Sequence, residues 1–83
     1  MNFEGSREEF EELEKLTADE AVEKLLDYPN VFQSRSEVKE TSSAPCFYLQ
    51  RIPAGGMATM DFVEQRIRVW ESEDGNITRI GVG

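Results

Sequence analysis

The apolar residues of this chain change their spacing as the sequence runs. Phe10, Leu13 and Leu16 recur at every third position among Glu and Lys, which predicts one or two turns of helix with a narrow apolar stripe. Thr17-Ala18-Asp19-Glu20 then has the form of a capping box, in which the Thr17 hydroxyl accepts from the Glu20 amide and the Glu20 carboxylate reaches back to the Thr17 amide. The main helix is therefore expected to begin at Ala18 instead of running on from residue 7. Its buried face reads as Ala21, Val22, Leu25 and Leu26, and Tyr28-Pro29-Asn30 ends it.

Beyond Phe32 the pattern thins out. Residues 31–45 are mostly polar, rich in Ser and Thr, and after Phe32 Val38 is nearly the only apolar side chain, which predicts a long mobile loop or a weak edge hairpin. Cys46 to Ile52 is a strand by composition, closed by Pro53. From Phe62 to Trp70 the residues alternate. Val63, Gln65, Ile67 and Val69 share one face, and Phe62, Glu64, Arg66, Arg68 and Trp70 share the other. Glu73-Asp74-Gly75-Asn76 reads as a tight hairpin turn, and Ile77 to Val82 as a third strand. The fold class expected is α+β: one small domain over residues 1–83, with one main helix on a small mixed sheet.

Composition narrows the chemistry. The 83 residues leave room for one core, and 39% hydrophobic with 31% charged residues suits a folded domain. There is no histidine and one cysteine, so no internal disulfide, no Ser–His–Asp triad, no Cys–His pair and no zinc cluster of those ligands can form. No catalytic residue, metal or cofactor is assigned. Cys46 reads as a small strand hydrophobe. The net charge of −8 is concentrated early, with twelve Asp/Glu against five Lys/Arg in residues 1–40 and five against four in residues 41–83. An acidic first half lacks the basic footprint that nucleic acid and anionic membranes require, and the near-neutral second half is the better place for a binding face. No stretch approaches the roughly 18 apolar residues of a membrane span. Met1 to Ser6 lack the basic start and apolar run of a signal peptide, so the expectation is either a cytoplasmic protein or a mature secreted form. Asn76-Ile77-Thr78 is a glycosylation acceptor pattern that matters only in the second case.

The unusual segment is Pro53 to Asp61, between the two best strands. It holds Met57 and Met60 with no polar alternation, and Thr59 and Asp61 bracket Met60. Arg66 and Arg68, at alternate positions of the next strand, point the same way. If that way is toward the loop, their guanidinium groups can donate to the Thr59 hydroxyl and the Asp61 carboxylate.

Thr59-Met60-Asp61-Phe62, Arg66-Ile67-Arg68-Val69-Trp70, Asp74-Gly75-Asn76-Ile77 and the closing Gly81-Val82-Gly83 together resemble the potato inhibitor I family of serine-protease inhibitors, the chymotrypsin inhibitor and eglin type. Phe10-Glu11-Glu12-Leu13 through Thr17-Ala18-Asp19-Glu20-Ala21 is similar to that family's helix entry at equal spacing. The resemblance implies a reactive-site loop with Met60 as the P1 residue and Met60–Asp61 as the scissile bond. It also implies contacts to the protease from Met57, Ala58, Thr59 and Phe62, and support of the loop by Arg66 and Arg68. The chain departs from the family in having roughly a dozen extra residues within 31–45, Glu14-Lys15 before the helix, and no proline in its last residues. The expected partner is a subtilisin-like or chymotrypsin-like serine protease, bound by a monomer. A non-inhibitory binding module on the same scaffold, with residues 31–45 as the contact, is the alternative. A hydrolase built on Asp61 and Glu64 is a third reading, without a pocket signal in so small a chain.

Overall fold

A computed structural model describes residues 3–38 and 45–83. Two helices come first. Ser6 caps α1 (Arg7–Leu13) by accepting from the Glu9 amide at 3.3 Å, and Thr17 caps α2 (Ala18–Leu26) by accepting from the Glu20 amide at 3.3 Å. The break between them lies where the capping box predicts it. The stripe that α2 buries is Ala18, Ala21 and Leu25, with Val22 at its margin. Leu26, expected in that face, is exposed. At 100° per residue a stripe centred on 18, 21 and 25 leaves position 26 turned away from the sheet.

The sheet has four strands among the described residues, in spatial order β1 (Val31–Phe32), β2 (Phe47–Ile52), β3 (Arg66–Glu71), β4 (Ile77–Val82). The first two pairings are parallel and the last is antiparallel. The molecule is thus a single α+β domain with two helices and a mixed sheet. Ile67 and Val69 on β3 are fully buried, as their alternation predicts, and Leu49 and Ile52 on β2 and Ile80 on β4 join them in the core. Gly75 takes the positive φ expected of the Asp74-Gly75 turn, and the Gly75 carbonyl accepts from Ala18 N at 2.9 Å, tying the hairpin to the start of α2.

Two expectations are corrected. Residues 31–38 are neither a bare loop nor a hairpin. Val31 and Phe32 pair in parallel with Phe47 and Tyr48, and a single 3₁₀ turn comes next at Arg35–Glu37. The rest of the predicted mobile loop, 39–44, lies outside the described residues. The strand expected over Phe62–Trp70 begins only at Arg66. The first tie to β2 is Tyr48 N donating to the Gln65 carbonyl at 2.8 Å, and just upstream the chain turns instead of extending, with Arg66 N donating to the Val63 carbonyl at 3.1 Å.

Phe3 is fully buried and packs its ring against Phe10, Tyr28 and Phe47 at centroid distances of 5.2–5.5 Å. Asn30, also fully buried, holds that segment in place. Its side-chain oxygen accepts from Phe3 N at 3.0 Å, and its Nδ2 donates to the carbonyls of Phe3 at 2.8 Å and Pro45 at 2.6 Å. A buried side-chain amide with three partners is satisfied, which is the condition for keeping it in a core.

Candidate functional site

Parallel neighbours cannot be joined by a tight turn, because the chain must return the length of the strand before it can pair again. A helix usually makes that return. Between β2 and β3 the return is residues 53–65, with no helix or strand of its own. The segment leaves β2 through a tight turn in which Gly56 N donates to the Pro53 carbonyl at 2.8 Å and Gly55 has φ +77°. A side chain at position 55 would be strained there, which is the reason for Gly at the third turn position. From Met57 onward the segment runs over the surface. Met57 is 96% exposed, Met60 is fully exposed and Phe62 is 70% exposed.

Three large apolar side chains held out in water need a backbone fixed by something else, and the fixing comes from β3. The Arg66 and Arg68 side chains are 9% and 12% exposed and project from the sheet under the loop. Arg68 Nη2 donates to Thr59 Oγ1 at 2.8 Å, and its Nε donates to Gln50 Oε1 at 3.2 Å. Arg66 Nη2 donates to the Asp61 main-chain carbonyl at 2.8 Å, and its Nε to the Gly83 carbonyl at 2.9 Å. The Asp61 carboxylate stands 3.6 Å from Arg66 and 3.8 Å from Arg68. These are ion-pair separations, too long for hydrogen bonds. The expected contact is thereby refined: Arg66 grips the main chain of Asp61, and its carboxylate supplies charge alone. The Thr59 hydroxyl is the first cause holding the Asp61 carboxyl below the ordinary aspartate value, with the Arg66 charge acting in the same direction.

Gly83 contributes in two further ways. Its N–H donates to the Arg66 carbonyl at 2.8 Å, extending the β3–β4 ladder, and a Cβ there would lie 3.1 Å from the Phe62 ring. That is tighter than an ordinary contact, so a larger residue would have to push the Phe62 ring aside by a few tenths of an ångström, and φ +136° at Gly83 favours glycine as well. Behind the loop a partly open hollow of about 230 Å³ is bounded by Met60, Asp61, Phe62, Arg68, Trp70 and Arg79. Of the Asp61/Glu64 pair, only Asp61 lines it.

Of the residues named for the site in the sequence, Thr59 and Asp61 are brought onto Arg66 and Arg68, while Met57, Met60 and Phe62 stand exposed on the same segment. Gln50 and Gly83 are additions. Each sits opposite an arginine across the sheet: Gln50 is the register partner of Arg68, and Gly83 lies beside Arg66. Counting register from the Asp74-Gly75 turn back along β3 would have found Gly83. Among the described residues no group of three His, Cys, Asp or Glu is placed to hold a metal ion, and no helix is long and apolar enough to cross a membrane.

Comparison with known proteins yields no match, whether to a family model, a curated protein or a solved structure.

Proposed function

We propose that the chain inhibits serine proteases by offering residues 57–62 as a substrate-like segment, with Met60 in the primary specificity pocket and Met60–Asp61 as the bond presented for attack. One observation carries this reading: Met60 is fully exposed, while Thr59 and Asp61 on either side of it are held from beneath by Arg68 and Arg66. The resemblance of 59–62 and 66–70 to potato inhibitor I sequences supports it.

A flexible loop loses entropy when a protease orders it, and after cleavage its ends drift apart. A braced loop loses little. If the bond is cut, the Asp61 amine stays beside the acyl-enzyme because Arg66 still holds the Asp61 carbonyl, and religation competes with hydrolysis. The unbranched apolar Met60 suits a deep apolar pocket, and Met57 three residues earlier offers a second apolar anchor. Subtilisin-like and chymotrypsin-like enzymes are the partners these side chains fit. Mixing the chain with such a protease and following the products by mass spectrometry tests the reading. Slow, single cleavage at Met60–Asp61 with lasting inhibition is expected, and rapid general digestion would refute it.

A second reading, a non-inhibitory binding module, draws on another part of the surface. Exposed Leu26 and half-buried Phe32 line an open groove with Val31, Gln33, Ser36 and Glu37. A chain that bound no protease, yet lost a partner on Leu26→Asp, would favour it.

A further inference from the structure

Exposure decides which side chains a solution oxidant reaches first. Met57 and Met60 are open to water, whereas Cys46, the single thiol, is 6% exposed and Trp70, Tyr28 and Tyr48 are half-buried. The third methionine, Met1, lies outside the described residues. Among the described residues, both thioethers therefore sit on the 53–65 loop. Neither has a part in bracing it, since the bonds run from Arg66 and Arg68 to the Asp61 and Gly83 carbonyls, the Thr59 hydroxyl and the Gln50 amide oxygen. A change at sulfur alters what the loop shows to a partner and leaves its support intact.

We infer that Met60, accompanied by Met57, is an oxidative modification site through which peroxide switches off protease binding without unfolding the domain. The switch rests on the inhibitory reading of the loop. In the reaction the sulfur lone pair attacks an oxygen of hydrogen peroxide. The O–O bond breaks, an S–O bond forms, and proton transfer releases water. Sulfur is oxidised by two electrons and the peroxide is reduced. The product is a polar, chiral sulfoxide, and methionine sulfoxide reductases return it to the thioether. An apolar specificity pocket has no donor for the new oxygen, so its burial there is unfavourable and binding weakens by about tenfold to hundredfold.

The experiment begins with the untreated chain and a subtilisin-like protease. Absence of inhibition at that step removes the inhibitory reading, and the switch with it. The chain is then treated with hydrogen peroxide, the added oxygen is located by peptide mass spectrometry, and the inhibition constant is measured again. Expected are oxygen at Met60 and Met57 ahead of Cys46, unchanged circular dichroism, at least tenfold weaker inhibition, and recovery after reductase treatment. Each variant is compared with itself before and after peroxide: M60L should lose only a small part of its own affinity, through Met57, and M57L should still lose most of its own. Sulfoxide at Met60 with an unaltered inhibition constant, a loss that M60L shares with the parent, or Cys46 reacting first would overturn the switch while leaving the inhibitory reading in place.

Discussion

Arg68 donates from Nη2 to the hydroxyl of Thr59 at 2.8 Å, so a strand residue fixes a loop residue nine positions earlier in the chain. The same guanidinium is held from the other side by Gln50. A side chain anchored at both ends transmits the rigidity of the sheet to the loop. That gives the two arginines different expected weights.

Removal of Arg68 deletes the bond to Thr59 and leaves in place every side chain expected to contact a protease. Arg68→Ala should weaken inhibition by about tenfold to hundredfold, the equivalent of roughly 1.5–3 kcal/mol for a charge-assisted hydrogen bond, and should speed hydrolysis at Met60–Asp61. Arg66→Ala should do the same and also lower the melting temperature, because it leaves the Gly83 carbonyl without its guanidinium. Inhibition and cleavage rates, with thermal melts for both variants, check this. Two variants that inhibit like the parent and resist cleavage equally would refute the brace.

Acid should loosen the loop, and the direction comes from Asp61. Its carboxyl is held low in the folded loop, chiefly by the Thr59 hydroxyl. The unbraced loop therefore binds a proton more readily. The stabilisation is complete above the ordinary aspartate value of about 4 and is lost as the pH falls through the lowered value. Loop order measured by NMR should fall across that range. Thr59→Val should move the Asp61 titration upward, and Asp61→Asn should remove the acid transition.

What the sequence could reveal depended on the range of each signal. The helix break at Thr17, the hairpin turn at Asp74-Gly75 and the burial of Ile67 and Val69 are local patterns, and they were readable. The pairing of Val31-Phe32 with Phe47-Tyr48 was not, since two residues carry no periodicity and a parallel partner leaves no turn signature. Phe3 and Asn30 escaped for the same reason: their contact spans 27 positions, and an isolated Phe near the start or an Asn after a helix looks like any other. At the site, Arg66 and Arg68 showed by their alternation. The hold of Arg66 on a main-chain carbonyl did not, because main-chain acceptors are the same in every sequence.

Specificity should reside in Met60. Met60→Lys should weaken inhibition of subtilisin-like and chymotrypsin-like enzymes and create inhibition of a trypsin-like one, whose acidic pocket can pair the ammonium group. Parallel inhibition assays against the three enzyme types measure this, and unchanged selectivity would mean that another residue occupies the pocket.

Asn30→Ala should be the more damaging substitution for stability, although it lies far from Met60 in sequence. It orphans both main-chain groups of Phe3 and the Pro45 carbonyl, for a loss of at least about 2 kcal/mol. A melting point lower by roughly 8–16 °C is expected. Inhibition measured well below that temperature should change little, since the bonds around the loop do not involve Asn30.

Arg66 gives one hydrogen bond to the Asp61 carbonyl and another to the Gly83 carbonyl, and Gly83 is held to Arg66 by the ladder itself. The segment around Met60 therefore attains its full support only when β4 is zipped along β3 as far as Gly83. A molecule with β4 frayed would keep most of its core but present a slack, cleavable loop. On the inhibitory reading proposed above, such a molecule should be cut at Met60–Asp61 faster than one whose final strand is seated.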